Sequence, residues 1–432
     1  MSKKILSNQE VKGMNDWLPE EFFIRKYIFS KWREVCLSYG FVEYLTPILE
    51  NAEIYKAKSG EDVGLKELMI FKDRGDRELA IRPEMTPSVS RMVSKIYSSS
   101  PKPIRFFSIA NFVRNEKPQR GRNREFWQLN CDIFGDNSIL SDLEILTLSL
   151  DIVLSFNPPK DSFVLKINNR KLINDVFSIL GVKKDKEVEL IRLMDKYRKL
   201  SKDDFKSLVL KCDIKEDSFN DLLKFLNSKD VSSLLSDFPE LKNSEGLKEL
   251  SDVFDRLEKI GFGEYIQFSP DVIRGFDYYD GLVFEIFDKH PDNSRAIFGG
   301  GRYNGLSEIF GSSSFPAVGI APGDETFKLF LESWNLLPNK NIYNNYCYLP
   351  LLSESLSEKV FLLAKKLRKD GFKVEQGLSV TKIGKALEYA NKKMIGSIIV
   401  FGEDELSQGI YKIKDMKSGD EKIIKLNLNS HE

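Results

Sequence analysis

A long hairpin pattern in the first third of the chain constrains its fold more than any other feature. Arg105–Arg114 and Arg124–Phe134 each read as a strand, and the charged loop Asn115–Asn123, with Pro118 and Gly121 as turn residues, joins them. Side chains alternate between the two faces of a strand. Phe126, Gln128, Asn130 and Asp132 therefore share one face, and Trp127, Leu129, Cys131 and Ile133 the other. On the first strand Phe112, Arg114 and Glu116 share a face. If the two polar faces coincide, the sheet offers an aromatic ring, an amide, a carboxylate and an arginine to one cleft over an apolar floor. The plainer alternative is an ordinary solvent-facing side of a sheet. The combination nevertheless suits a nucleotide, with a ring to stack on the base and a fork for a phosphate.

The 432 residues are too many for one hydrophobic core, so two or three domains are expected. Upstream of the hairpin, residues 20–38 read as a helix, Phe41–Thr46 as a strand stopped by Pro47, and Leu68–Lys72 and Glu78–Ile81 as strands. Thr86-Pro87 reads as an N-cap followed by proline at the first helical position. Downstream come helix Ile139–Ser155 and a strand over 163–168, then a Lys/Asp/Glu/Leu-rich helical insertion over about 170–260. Strands return at Ile266–Ile273, Leu282–Phe287, Ala296–Gly300 and Ala317–Ala321, before a helix from Asp324 to Trp334. The reading is an α+β region over 1–334, an antiparallel sheet flanked by helices. Asn335–Asn345 is a polar linker. Residues 346–432 follow, with a βαβαβ pattern that implies a small α/β domain.

Composition removes several function classes. No run approaches the ~20 apolar residues of a membrane span. The opening MSKKILSNQEVKGMNDWLPEE lacks the apolar core of a signal peptide, so a cytoplasmic protein is expected. The four Cys lie far apart without a CxxC pair, which points to reduced, buried thiols rather than zinc. There are two His, and His431 is in the tail, so a histidine-based mechanism would rest on His290 alone. The net charge of zero neither suggests nor excludes nucleic acid, but residues 101–124 hold seven basic side chains against one acid, Glu116. Two further clusters stand out, Arg274-Gly275-Phe276-Asp277-Tyr278-Tyr279 and Gly299-Gly300-Gly301-Arg302-Tyr303. The three glycines let backbone approach a ligand closely.

These segments, in this order, resemble the histidyl-tRNA synthetase family over nearly the whole chain. Gly13–Glu20 and Gly40–Glu50 resemble the first class II motif, which implies a homodimer interface. Phe112–Gly135 is similar to the second motif, and Arg82-Pro83-Glu84-Met85-Thr86 resembles the family's histidine-binding segment. Arg274–Tyr279 resembles the block that holds a catalytic arginine. Ala317–Phe330 stands where the third motif belongs, and the tail from 346 resembles the anticodon-binding domain. The resemblance implies ATP-dependent activation of histidine and its transfer to tRNA(His).

The resemblance also implies roles. Arg114 and Arg274 would be catalytic, at the α-phosphate. Glu116, Phe126 and Arg302 would complete the ATP site, and Glu84, Thr86, Gln128, Asp132, Tyr278 and Tyr279 would hold histidine. Lys117, Gln119, Arg120 and Arg122 would meet the tRNA acceptor end. Mg²⁺ is implied with the ATP phosphates, and no protein ligand to it is assigned. Two positions depart from the family pattern: Asp132 stands where many members carry Glu, and Thr326 where class II enzymes place an arginine over the γ-phosphate. Arg120 first and Arg302 second are the candidates to replace that arginine; alternatively, Thr326 only caps the helix start, and Arg114 and Arg274 suffice. Two rival readings are a non-catalytic, synthetase-like regulatory subunit of ATP phosphoribosyltransferase and an RNA-binding adaptor. The first family lacks an anticodon domain and usually the catalytic arginine, both of which this pattern contains.

Overall fold

The expected hairpin forms and lies within the main sheet. Ile104–Val113 pairs antiparallel with Glu125–Phe134 along their whole length, placing Phe112 opposite Phe126 and Ala110 opposite Gln128. The computed structural model describes residues 6–58, 67–273, 279–293, 295–311 and 313–426. The hairpin lies in an eight-stranded sheet. Beyond Glu125–Phe134 come Ala317–Ile320, Ala296–Arg302, Leu282–Asp288 and Phe163–Asn169, each antiparallel to its neighbour. Both edge strands, Val42–Glu43 and Ile266–Phe268, run parallel to the strand they join.

Helices cover this sheet. Ile139–Leu154 is apolar nearly all round and buries Ile145, Leu146, Leu148, Leu150, Ile152 and Val153, as a helix packed on more than one side must. Between Arg170 and Lys259 the elements are helical. Glu245–Lys259 shows why. Ser244 caps its start by accepting from the Leu247 amide at 3.1 Å, and Leu247, Leu250, Val253 and Leu257 recur on one buried face.

Three local readings change. The strand expected over Phe41–Thr46 shortens to Val42–Glu43: the Tyr44 amide makes one more bond, to the Phe107 carbonyl at 2.8 Å, and by Thr46 the carbonyl accepts from the Arg82 guanidinium at 2.7 Å instead. The strand expected over Ile266–Ile273 stops at Phe268: Pro270 has no N–H for the ladder, and Asn168 Nδ2 instead donates to the carbonyls of Pro270 and Val272. Thr86 is not the N-cap. The helix runs Thr86–Ile96 from Met85, which leaves the Thr86 side chain buried.

By its internal contacts the chain divides into two units. One holds Arg25–Leu337 with the chain up to Asp16, and the other Pro338–Glu432 with Trp17–Ile24. In the second, Lys373–Val380, Tyr346–Leu351 and Ser397–Val400 form the expected parallel core. An antiparallel pair, Ile410–Asp415 and Glu421–Lys425, extends this sheet beyond the βαβαβ pattern. Its turn is set by the Asp415 carboxylate, which accepts from the Lys417 and Ser418 amides at 2.8 Å each. All four thiols are buried and free.

Candidate active site

The hairpin's polar face opens into two adjoining cavities. At its outer end the Phe112 and Phe126 rings lie 5.8 Å apart. The Arg114 guanidinium sits over Phe126, 4.9 Å from the ring centre, and its Nε donates to the Pro83 carbonyl at 3.0 Å. A stacked and tethered arginine of this kind has a fixed fork direction, so it presents its remaining donors without first having to be ordered.

The inner cavity is lined by Glu84, Thr86, Arg114, Gln128, Asn130, Asp132, Tyr279 and Tyr303, with Gly319–Ala321 as its far wall. Asp132 is 3% exposed and accepts from the Tyr303 hydroxyl at 2.6 Å. Its Oδ2 and the Asn130 Oδ1 are buried without a hydrogen-bond partner among the described residues. Burial pushes the Asp132 carboxyl up to about 7, while the Tyr303 bond pulls the other way. The nearby Tyr44 hydroxyl, also buried and unpartnered, is itself pushed well up by burial and then by the Asp132 charge. Buried acceptors are costly until a donor reaches them, so this floor favours a ligand that brings hydrogen-bond donors.

Gly319 is part of that floor. It pairs across the sheet with Asp132, and a Cβ there would stand 1.9 Å from Asp132 Oδ1. Gly319→Ala should therefore destabilise the protein by about 1–3 kcal/mol, as overpacked cores do, and displace the carboxylate. Thermal melts with and without ligand check this. An unchanged melting temperature would mean that Asp132 has room to swing away.

The outer cavity shares Arg114, Gln128 and Ala321 with the inner one and adds Glu116, Phe126, Arg122, Arg295, Asp324, Glu325 and Thr326. Glu116 is ion-paired with Arg122, which also reaches Glu67 at 3.3 Å. Asp324 and Glu325 look ill-placed for an anion site, but Arg25 pairs with them at 2.5 and 3.4 Å. Asp324 is buried, and Trp127 donates its amide to it at 2.9 Å. Burial drives this carboxyl upward against the pull of Arg25. Thr326 Oγ1 donates to the Ile297 carbonyl at 2.6 Å, so the hydroxyl is committed to backbone. Gln128 Nε2 donates to the Ala321 carbonyl at 3.3 Å.

Most of the residues singled out from sequence converge here: Glu84, Thr86, Arg114, Glu116, Phe126, Gln128, Asp132 and Tyr279 all line these cavities. Lys117 and Arg120 are exposed on the hairpin loop, where Gln119 and Arg122 exchange backbone hydrogen bonds of 2.9 Å. Arg274 and Tyr278 lie outside the described residues. Arg302 is a correction. It is buried on the opposite side of its strand, forked onto Asp142 and bonded to the Asp136 and Ser138 carbonyls, so it cannot reach a nucleotide. Arg295, Asn130, Tyr303 and Gly319 were not singled out for the site. Asn130 lay within the alternation and Tyr303 beside Arg302, but no motif marks Arg295. Among the described residues there is no group of three or more His, Cys, Asp or Glu placed to hold a metal.

Residues 13–323 match the protein family described as histidyl-tRNA synthetase, and residues 345–429 match the anticodon binding domain. The chain is 40% identical over 419 residues to the histidine–tRNA ligase of Leptospira biflexa, covering 97% of this chain and 95% of that protein. It is 36% identical over 424 residues to the histidine–tRNA ligase of Pyrococcus horikoshii, covering 97% of each. Its fold is similar to the crystal structure of histidyl-tRNA synthetase from Nostoc sp., with a TM-score of 0.82 at 22% identity, over 98% of this chain and 97% of that one.

Proposed function

This chain belongs to the histidyl-tRNA synthetase family and has the activity of a histidine–tRNA ligase, and from that premise we propose which of its residues carry each step. The reaction has two halves. Histidine and ATP give histidyl-adenylate and pyrophosphate; the histidyl group then passes to the 3′ end of tRNA(His), releasing AMP.

The inner cavity takes histidine. Asp132 accepts from one imidazole N–H, with Tyr303 steadying the carboxylate, and Tyr279 serves the other ring nitrogen. Glu84 and Thr86 meet the α-amino group. The outer cavity takes ATP, with adenine on Phe126 and its exocyclic amine toward Glu116, whose carboxylate Arg122 holds in place. Arg114 and Gln128 line both cavities, and that shared position is the observation that carries the reading. The histidine carboxylate and the α-phosphate must meet there. A carboxylate oxygen forms the new bond to phosphorus as the bond to pyrophosphate breaks. The nucleophile is already an anion, so no general base is required, which suits a chain with two histidines. What the step needs is positive charge between two anions, and Arg114 supplies it. By family resemblance Arg274 is the second such cation and Tyr278 a further histidine contact. Magnesium enters bound to the ATP phosphates, as part of the substrate: Glu116, Asp324 and Glu325 are each committed to an arginine.

Residues 1–334 carry activation and 346–432 the anticodon contact, with the exposed Lys117 and Arg120 toward the acceptor end, whereas Arg122 is committed to Glu116 and Glu67 and Gln119 to Arg295. The chain works in the cytoplasm as a homodimer, using the segment where Val42, Leu45 and Leu49 are exposed. No described helix is long and apolar enough to cross a membrane. The match of residues 345–429 to an anticodon domain weighs against a regulatory subunit.

Pyrophosphate–ATP exchange across the common amino acids tests the assignment. Exchange should require histidine, because a pocket that bonds both ring nitrogens leaves its own groups unpaired against any other side chain. Equal exchange with glutamine or asparagine would overturn it.

A further inference from the structure

The outer cavity poses a charge problem: its third-motif position is Thr326, an uncharged side chain whose hydroxyl is committed to the Ile297 carbonyl. Building on the ATP-site reading above, we propose that Arg295, from the loop between strands Leu282–Asp288 and Ala296–Arg302, holds the β,γ-phosphate end of ATP in place of the missing arginine.

Placement is the first argument. Arg295 lines the outer cavity and also the next one beyond it, and Thr326, Gly121 and Ile297 line both with it. It therefore stands at the end of the ATP cavity away from the histidine pocket, beside the residue that lacks the charge. Elimination is the second. Among the described residues, three arginines line the outer cavity. Arg114 sits at the histidine end, and Arg122 is ion-paired with Glu116 and Glu67. Of the two surrogates suggested by sequence, Arg302 is locked onto Asp142, and Arg120 lines only the cavity beyond. Arg25 is spent on Asp324 and Glu325.

Support for the side chain is the third. Gln119 Oε1 accepts from Arg295 Nη2, and among the described residues that is the only bond its guanidinium makes. The backbone of Gln119 is tied to Arg122 by two hydrogen bonds of 2.9 Å, and the hairpin tip that carries it approaches helix Asp324–Ser333 at Gly121. Gly121 there has φ +71°, and a Cβ on it would come within 2.8 Å of Leu329 Cδ1. An arginine fork has five N–H donors, so one bond to Gln119 orients it and leaves the rest for phosphate oxygens. The nearby acids offer little competition. Asp288 accepts from the Trp334 indole at 2.9 Å, the His290 amide at 2.8 Å and Asn293 at 2.6 Å. Asp292, 70% exposed, points to solvent beside His290. The family role is thus moved from the helix to an adjacent strand end, and the hairpin loop serves as its latch.

Steady-state pyrophosphate exchange on the full chain tests this, with AMP as a competing ligand that lacks the β,γ-phosphates. Arg295→Ala should raise the KM for ATP about ten-fold or more, the scale of a lost charge-assisted hydrogen bond, while the KM for histidine changes less than about two-fold. Inhibition by AMP should be unchanged. Arg295→Lys should recover part of the loss, and Thr326→Arg added to Arg295→Ala should recover more by restoring the charge from the helix. An unchanged KM for ATP overturns the proposal, and so does a parallel loss of AMP and ATP affinity, which would place the effect at the nucleoside. If the double variant fails to fold in a thermal melt, the split between AMP and ATP in Arg295→Ala decides alone. Absence of histidine-dependent exchange in the unmodified chain would instead sink the assignment of the activity.

Discussion

Arg114→Ala should slow histidine-dependent pyrophosphate exchange by roughly 10²–10³-fold, the cost of removing a transition-state donor. The step brings a carboxylate against a phosphate, and Arg114 lines both cavities where the two anions meet. Its Nε bond to the Pro83 carbonyl at 3.0 Å and its contact with the Phe126 ring aim the fork before substrate arrives. Because the contact strengthens as the new bond forms, kcat should fall more than the affinity for histidine alone. Arg114→Lys should rescue only a small part. A lysine has a point charge and a flexible stem, and it cannot hold the Pro83 carbonyl, lie on a ring and fork onto an anion together. Rapid-quench measurement of adenylate formation separates chemistry from product release. A rate within about ten-fold of normal would move the role to another cation.

What sequence could and could not reveal about this site follows from how far each signal reaches. The face carrying Phe126, Gln128 and Asp132 was legible because alternation along one strand is local, and the hairpin's register then brought Phe112 opposite Phe126. Arg302 was a candidate for the ATP site because it follows three glycines that let backbone approach a ligand closely and because the third motif lacks its arginine. Its neighbour held the correction. Adjacent residues point to opposite faces, and Tyr303 reaches Asp132 while Arg302 reaches Asp142 on helix Ile139–Leu154. Nothing local could have said which of the two faces the cleft. Arg295 was hidden for a related reason: it comes from a loop with no motif and meets Gln119 across 176 residues of chain. The strand pair Ile410–Asp415 and Glu421–Lys425 was missed because its exposed edge is lysine-rich and carries a weak apolar signal.

The other large effect is expected at Asp132, and its pH dependence carries the test. Asp132→Ala should lower kcat/KM for histidine by about 10²-fold or more, the scale for a buried charged acceptor that loses its role. In the unmodified protein, burial raises this carboxyl from its usual range to about 7. Above that pH it is ionised, and Oδ2 can accept the imidazole N–H. Below it the carboxyl is protonated and that acceptor is lost. Hence kcat/KM for histidine should fall as pH drops from about 8 to about 6, with an inflection near 7 that belongs to the free protein. Free histidine titrates near 6.5, so the profile is compared with Asp132→Asn, which keeps the shape without the titrating group; the inflection of the substrate alone should remain there. Stability gives an independent sign. A carboxyl raised on folding binds more protons in the native state, so through this group the unliganded protein loses stability as pH rises from about 4 to about 7. Histidine offsets that loss by donating to Oδ2, so its stabilising shift in melting temperature should be larger at pH 8 than at pH 6. In Asp132→Asn the difference should shrink to the part contributed by the substrate's own titration. Equal histidine-induced shifts at both pH values in the unmodified protein would show that Asp132 is not the acceptor of the imidazole proton.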